Sequence, residues 1–187
     1  DYALVGAYQD DDGGTNSGSA YTFVRDGTSW SQQAKLVADD AAAVDQFGYS
    51  VSISGDYALV GSRYDDDGGS ASGSAYTFVR SGTSWSQQAK LVADDAAASV
   101  FFGNSVSISG DYALVGALAD DDGGSASGSA YVFKIVALQN AKLVASDAAG
   151  GDYFGWSVSI SGDYALVGAY GDDDGGSASG SAYTFVR

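Results

Sequence analysis

Residues 47–61 read FGYSVSISGDYALVG, and this stretch decides the fold. Apolar and small polar residues alternate through SVSIS, the period of a β-strand. The Ser-Gly-Asp that follows is a tight hairpin signal, with Gly55 supplying the positive φ. YALVG then resumes as a second strand. DYALVG recurs at Asp1, Asp56, Asp111 and Asp163, so one unit is written along the whole chain at spacings of 55, 55 and 52 residues. Units 1–55 and 56–110 differ only at positions 7–9, 15, 16, 26, 44–46 and 49 of the first, which read as loop positions.

Each unit carries four strand signals: SVSIS, DYALVG, GSAYTFVR and TSWSQQAKLVA. A DDDGG loop with Ser, Gly and Ala joins the second to the third. A longer connector of the ADDAAAVDQFG type leads back to the next SVSIS. In GSAYTFVR, Tyr21 and Phe23 fall on one face and Thr22 and Val24 on the other. No segment holds a helical period, and β-branched and aromatic residues fill the periodic runs. Strands apolar on both faces need a neighbour on each side, and four strands per roughly 50 residues is the period of a propeller blade. The expectation is an all-β chain, a β-propeller of four-stranded blades. The frequent Gly and Ala would let successive sheets approach closely. A parallel β-helix is the competitor, but its coils are usually shorter. The chain is read as one repeat domain over 1–187, with units 1–55, 56–110, 111–162 and a partial 163–187. It opens in the second strand of a blade and stops after the third. The count is fourteen strands, with incomplete blades at both ends.

Composition narrows the function. The 187 residues carry a net charge of −16, with 24 acidic residues, all Asp, against 8 Lys and Arg. That balance argues against a groove that tracks nucleic-acid phosphates. Cys and His are absent, so disulfides, a Ser-His-Asp triad and the common zinc sites are excluded. No apolar run reaches the roughly 18–20 residues of a membrane-spanning helix, and no membrane insertion is expected. With 45% hydrophobic and 13% aromatic residues the chain is too apolar for a disordered acidic tail.

The motifs together resemble the FG-GAP repeat family. The FG half is Phe47-Gly48, Phe102-Gly103 and Phe154-Gly155. The GAP half is Gly6-Ala7, Gly61-Ser62, Gly116-Ala117 and Gly168-Ala169, with the family's Pro missing throughout. The resemblance spans essentially the whole chain and looks like the bacterial secreted or surface branch. It implies a propeller and an extracellular location. It does not fix a function, because propellers host unrelated activities.

The chemistry-bearing feature is the Asp triplet. Asp10, Asp11 and Asp12 in the first unit are repeated as Asp65, Asp66 and Asp67, as Asp120, Asp121 and Asp122, and as Asp172, Asp173 and Asp174. Three adjacent carboxylates repel one another and need a cation or full solvation. Ca2+ takes six to eight hard oxygen ligands, and the following Gly-Gly allows a sharp turn. The family's calcium loop resembles D-x-D-x-D-G-x-x-D. Asp10, Asp12 and Gly13 match its middle and end, its first Asp has no carboxylate counterpart, and its last falls on Asn16, Ala71, Ala126 and Ala178. The expected cofactor is therefore Ca2+ with a reduced ligand set; the alternative is a solvated acidic turn. A second acidic set, Asp39, Asp40, Asp45, Asp94, Asp95, Asp147 and Asp152, reads mainly as solvated connector. Asp56, Asp111 and Asp163 read as turn formers. The FG phenylalanines read as core, Trp30 and Trp85 as inter-blade core, and Trp156 as an exposed aromatic suited to a contact surface.

Acidic residues that repeat in every unit report on a scaffold, whereas a catalytic centre is usually unique. The unrepeated Asn16, Arg63, Trp156 and Lys134-Ile135-Val136 form no catalytic constellation. The expectation is a non-enzymic structural or adhesive protein that joins to itself through unfinished blade edges, as a filament or layer. A monomeric module binding carbohydrate or protein on one propeller face is the alternative, and a hydrolase with two close carboxylates the third reading.

Overall fold

The computed structural model describes residues 1–135 and 138–186, so Val136 of the unrepeated segment lies outside the described residues. Fourteen strands form four antiparallel sheets. The first holds β1 (Tyr2–Ala7), β2 (Ser19–Asp26) and β3 (Ser29–Leu36). The second holds β4 (Phe47–Ser54), β5 (Tyr57–Ser62), β6 (Ser74–Ser81) and β7 (Ser84–Leu91). The third holds β8 (Phe102–Ser109), β9 (Tyr112–Ala117), β10 (Ser129–Lys134) and β11 (Leu138–Leu143). The fourth holds β12 (Phe154–Ser161), β13 (Tyr164–Ala169) and β14 (Ser181–Val186). Each sheet is a meander in sequence order, which is the build of a propeller blade, with three strands in the first and last sheets. The short β4–β5 turn has Gly55 at φ 58°, and the same turn recurs at Gly110 and Gly162.

The FG pair belongs to the strand and not to the connector before it. Phe47 pairs with Ser62, and a bulge over the next residues restores register at Ser50–Gly61. The bulge recurs in the third and fourth sheets. It re-aims the strand so that Phe47, fully buried, meets Tyr76 and Phe78 edge-on at 5.4 and 5.9 Å. Phe102 and Phe154 repeat this packing. Three apolar clusters join first to second, second to third and third to fourth sheets; among the described residues none joins the first to the fourth.

The glycines of the FG and GA pairs meet between sheets. A Cβ on Gly61 would lie 2.1 Å from the carbonyl oxygen of Gly103 in the next sheet, and one on Gly103 would lie 2.2 Å from that of Ser74. The Ser50 hydroxyl donates to the same Gly103 carbonyl at 2.7 Å. Two backbones are thus in direct contact, closer than any side chain permits.

Trp85 behaves as expected of inter-blade core: it is partly buried, meets Tyr2 of the first sheet edge-on at 6.5 Å and donates to Gln33 at 2.9 Å. Trp30 corrects the expectation. It is 48% exposed, because the face of the first sheet that it occupies has no sheet packed on it.

The close approach predicts unequal glycine substitutions. Gly82→Ala, in an open turn at φ 63°, should cost about 1 kcal/mol. Gly103→Ala, at φ 84° and against backbone, should cost several times more in thermal denaturation.

Candidate functional site

The DDDGG loop joins β1 to β2, β5 to β6, β9 to β10 and β13 to β14. Its three aspartates have three different jobs. The first is drawn inward: Asp65, Asp120 and Asp172 are buried and Asp10 is half-buried. The second is exposed and organises the loop. Asp11, Asp66 and Asp121 accept the backbone N–H of Asn16, Ala71 and Ala126 at 2.7–2.8 Å, which stabilises those residues at φ 53–54°. The third, Asp12, Asp67, Asp122 or Asp174, is exposed beside the first.

What the first and third aspartates face is a lysine. The Lys90 ammonium lies 2.9 Å from Asp65, 2.5 Å from Asp67 and 2.8 Å from Asp40. Lys142 lies 2.8 Å from Asp120 and 2.7 Å from Asp95, and also pairs with Asp122. Lys35 lies 3.0 Å from Asp10 and pairs with Asp12. Strand register places these lysines: Lys35, Lys90 and Lys142 stand directly opposite Tyr21, Tyr76 and Tyr131. Each ammonium sits over that tyrosine's ring, 5.2–5.4 Å from its centroid. The phenol points into the carboxylates as well. Tyr76 Oη is 2.7 Å from Asp65 and 3.0 Å from Asp40, and its single proton serves one of them at a time.

Two expectations are revised. Asp40, Asp95 and Asp147 do not lie in solvated connector; they reach from one unit into the next unit's cluster. The lysine and tyrosine partners were missed altogether. Their signal was present, since a Tyr in the third strand and a Lys-Leu in the fourth recur together in phase with each triplet. Of the remaining connector aspartates, Asp45 and Asp152 accept the backbone N–H of Ala42 and Ala149.

The electrostatics follow from the contacts. Hydrogen bonds from Lys35, Tyr21 and Ser19 hold Asp10 well below the usual carboxylate range. Burial pushes Asp120 and Asp40 up, but their lysine and tyrosine partners outweigh it and leave both lowered. Lys35 is raised, chiefly by Asp12. Burial works against Lys90 and Lys142, yet their carboxylates raise both. Burial and then a carboxylate push the Tyr76, Tyr131 and Tyr183 phenols up.

The fourth cluster differs. Tyr183 Oη lies 2.5 Å from Asp172 and 2.9 Å from Asp147, as its counterparts do, but no lysine among the described residues reaches it. Asp174 is accordingly raised, by the charges of Asp172 and then Asp147. Asp95, Asp120 and Asp122 have the spacing of a metal-binding trio, with ligand oxygens within 4.8 Å of one another. Lys142 occupies that centre, so a metal ion fits there only if the ammonium swings out. In the fourth cluster Asp147 and Asp172, both held by Tyr183, and Asp174, whose backbone N–H donates to Asp172, face no ammonium among the described residues.

A second concentration of side chains lies at the loop ends, where the units diverge. Arg63 stacks over Tyr49 at 3.6 Å and over Tyr64 at 4.7 Å, and Tyr64 meets Phe101 edge-on. Asn104 donates to the Trp156 carbonyl at 3.3 Å, and the Trp156 ring stacks on Tyr170 at 4.8 Å. Trp156 is 47% exposed, in accord with its reading as a surface aromatic. Tyr49, Arg63, Tyr64, Phe101, Asn104 and Trp156 line one open groove.

Two measurements test the clusters. Lys90→Met leaves three carboxylates facing one another. Since Asp40 and Asp67 are about half exposed, the expected loss at neutral pH is on the order of 1–3 kcal/mol in urea unfolding. Adding Asp67→Asn should recover part of it. Stability should also form a plateau in pH. Asp10, Asp40, Asp120 and Asp172 have lowered folded values, so their contribution is present above about pH 4 and lost as pH falls through those values. The raised lysines and tyrosines contribute fully below about pH 10, and that contribution is lost as pH rises through their folded values. Asp45, raised by burial, and Asp174 work oppositely and soften the acid limb. Melting temperature followed from pH 2 to 12 checks both limbs.

No curated protein matches the chain. The model of the FG-GAP repeat matches four times, over residues 1–23, 30–78, 85–133 and 138–185. With the matches covering nearly the whole chain, and the FG and GA glycines forming the contact between its sheets, the chain belongs to the FG-GAP repeat family.

Proposed function

We propose that the chain is an extracellular, non-enzymic structural or adhesive repeat domain that joins to further copies of itself end to end. One observation carries this reading. The outer faces of the first and last sheets have the chemistry of the buried interfaces between them. Val60, Val115 and Val167 are wholly buried, whereas their first-sheet counterpart Val5 is 52% exposed. Leu59 and Leu114 are wholly buried, whereas their last-sheet counterpart Leu166 is 46% exposed. The two end faces are therefore opposite halves of one repeated interface. A contact between unlike faces that does not close on itself propagates as a filament. Light scattering and electron microscopy test this. Assembly that grows with concentration and is abolished by Leu166→Lys is expected; a chain that stays monomeric at high concentration overturns the reading.

Calcium enters this reading at the fourth cluster. Asp147, Asp172 and Asp174 supply hard oxygen ligands of the kind Ca2+ takes, with no ammonium to displace. Ca2+ should raise the melting temperature, and Asp174→Asn should remove that effect while Asp67→Asn leaves it. Chelation should not unfold the protein, because the other three clusters carry their own cation.

A second reading, a recognition module for carbohydrate or protein, is supported by the groove at Tyr49, Arg63 and Trp156. Positions that distinguish otherwise near-identical units converge there. Aromatic faces beside a guanidinium and a carboxamide suit the C–H faces and hydroxyls of a sugar chain.

A further inference from the structure

We propose that the groove shared by the second, third and fourth sheets binds an acidic sugar. Arg63 takes a carboxylate carried on the sugar ring, and the aromatic rings of the groove take that ring's C–H face. This rests on the recognition reading above and deepens it by naming the class of ligand.

The chain varies where the groove lies. Arg63, Tyr64, Phe101 and Asn104 of the second unit stand where the first unit has Tyr8, Gln9, Gln46 and Tyr49. Two nearly identical units thus differ mostly at this one end of their strands, and the differing side chains line one groove with Tyr49 and Trp156. The backbone is strained to present one of them. Phe101 sits at φ 55°, a conformation that glycine adopts freely and a bulky residue does not, and its ring meets Tyr64 edge-on at 5.6 Å.

The groove also holds a cation that the rest of the chain does not neutralise. The sequence sets 24 aspartates against 8 basic residues. Arg25, Lys35, Arg80, Lys90 and Lys142 each pair with aspartate. Half-buried Arg63 makes no ion pair among the described residues. Its guanidinium carbon lies 3.6 Å from the Tyr49 ring centroid and 4.7 Å from that of Tyr64, and Nε donates to Gln46 at 3.1 Å. These contacts fix the group and leave its charge standing. Nε uses one of the five N–H donors of a guanidinium, so those on the two Nη atoms remain for a ligand. A planar fork of donors matches a planar carboxylate, two N–H groups to two oxygens.

The surroundings of that charge select a sugar. Trp156 is 47% exposed and is held by Tyr170, stacked on it at 4.8 Å. Asn104 gives one amide N–H to the Trp156 carbonyl and keeps a second N–H and its Oδ1. A pyranose offers C–H faces to aromatic rings and hydroxyls that donate and accept at once. A uronic acid fixes its carboxylate on that same ring. An acidic peptide carries its carboxylates on flexible stems and draws its adhesion from pairing with a strand edge, whereas side chains from three sheets line this groove.

The test is a titration in chelator, which removes metal bridges between carboxylates. Labelled trisaccharides of galacturonic, glucuronic and mannuronic acid, and the methyl ester of each, are followed by fluorescence anisotropy. Saturable binding of at least one acid, falling about tenfold or more for its methyl ester, is expected. Arg63→Gln should produce the same fall and make acid and ester bind alike. Trp156→Ala should weaken acid and ester together. Lys134→Gln removes an exposed charge at the end of β10 away from the groove and should change nothing. Esterification leaves the folded chain untouched, so a variant that misfolds cannot mask the answer. An ester that binds as well as its acid overturns the proposal and leaves a sugar-binding module standing. Binding of an aspartate hexapeptide but of no uronic acid overturns it in favour of a protein ligand. Binding of no probe removes both the proposal and the recognition reading.

Discussion

Direct backbone contact between successive sheets is the constraint on which the structure rests. Gly6, Gly61 and Gly116 face the carbonyls of Gly48, Gly103 and Gly155 across each interface, with no space for a Cβ. Once that distance is fixed, the rest follows. The bulge after each FG phenylalanine turns its ring onto the Tyr and Phe of the third strand. The valines and leucines of the second strand are then sealed between neighbouring sheets. The connectors, drawn along the loops of the preceding sheet by backbone hydrogen bonds such as Phe47 N–H to the Ser17 carbonyl, deliver their aspartates across the boundary.

The charge problem posed by each Asp triplet is solved mostly from within. A net charge of −16 suggests dependence on metal ions, but lysines at three clusters take the central place instead. An ammonium held by two carboxylates at Lys35, or three at Lys90 and Lys142, and set over a tyrosine ring is well satisfied, which is the condition for placing charge in a partly buried position. At Lys90 and Lys142 it also ties two strands, the DDDGG loop and a connector to one atom. Among the described residues the fourth cluster alone keeps its mutual repulsion.

Much of the fold was legible because it is local or periodic. The alternation in SVSIS, the Gly-Asp turns and the recurrence of DYALVG give strand count, order and the three-four-four-three division without any coordinates. The frequent Gly and Ala were legible as letting sheets approach closely, though not the place of the FG pair inside the strand, since a bulge leaves no mark in the alternation. The clusters were legible only by half. Asp65 and Asp67 announce themselves by adjacency; Asp40, Tyr76 and Lys90 are 25, 11 and 25 residues from Asp65, and nothing in a linear reading says that they converge. Trp30 was misjudged for a related reason. Its sequence context equals that of Trp85, and only the absence of a covering sheet separates the two.

Each of the last three clusters draws one carboxylate from the preceding unit and the rest from its own, so the junction between units is chemically the same wherever it falls. Duplication or loss of one whole unit recreates an identical seam, with the same glycines touching and the same lysine caged. Such an array can change its length over generations in steps of a blade without having to redesign any interior contact. A partial insertion, by contrast, strands an aspartate without its lysine and is paid for at once in stability.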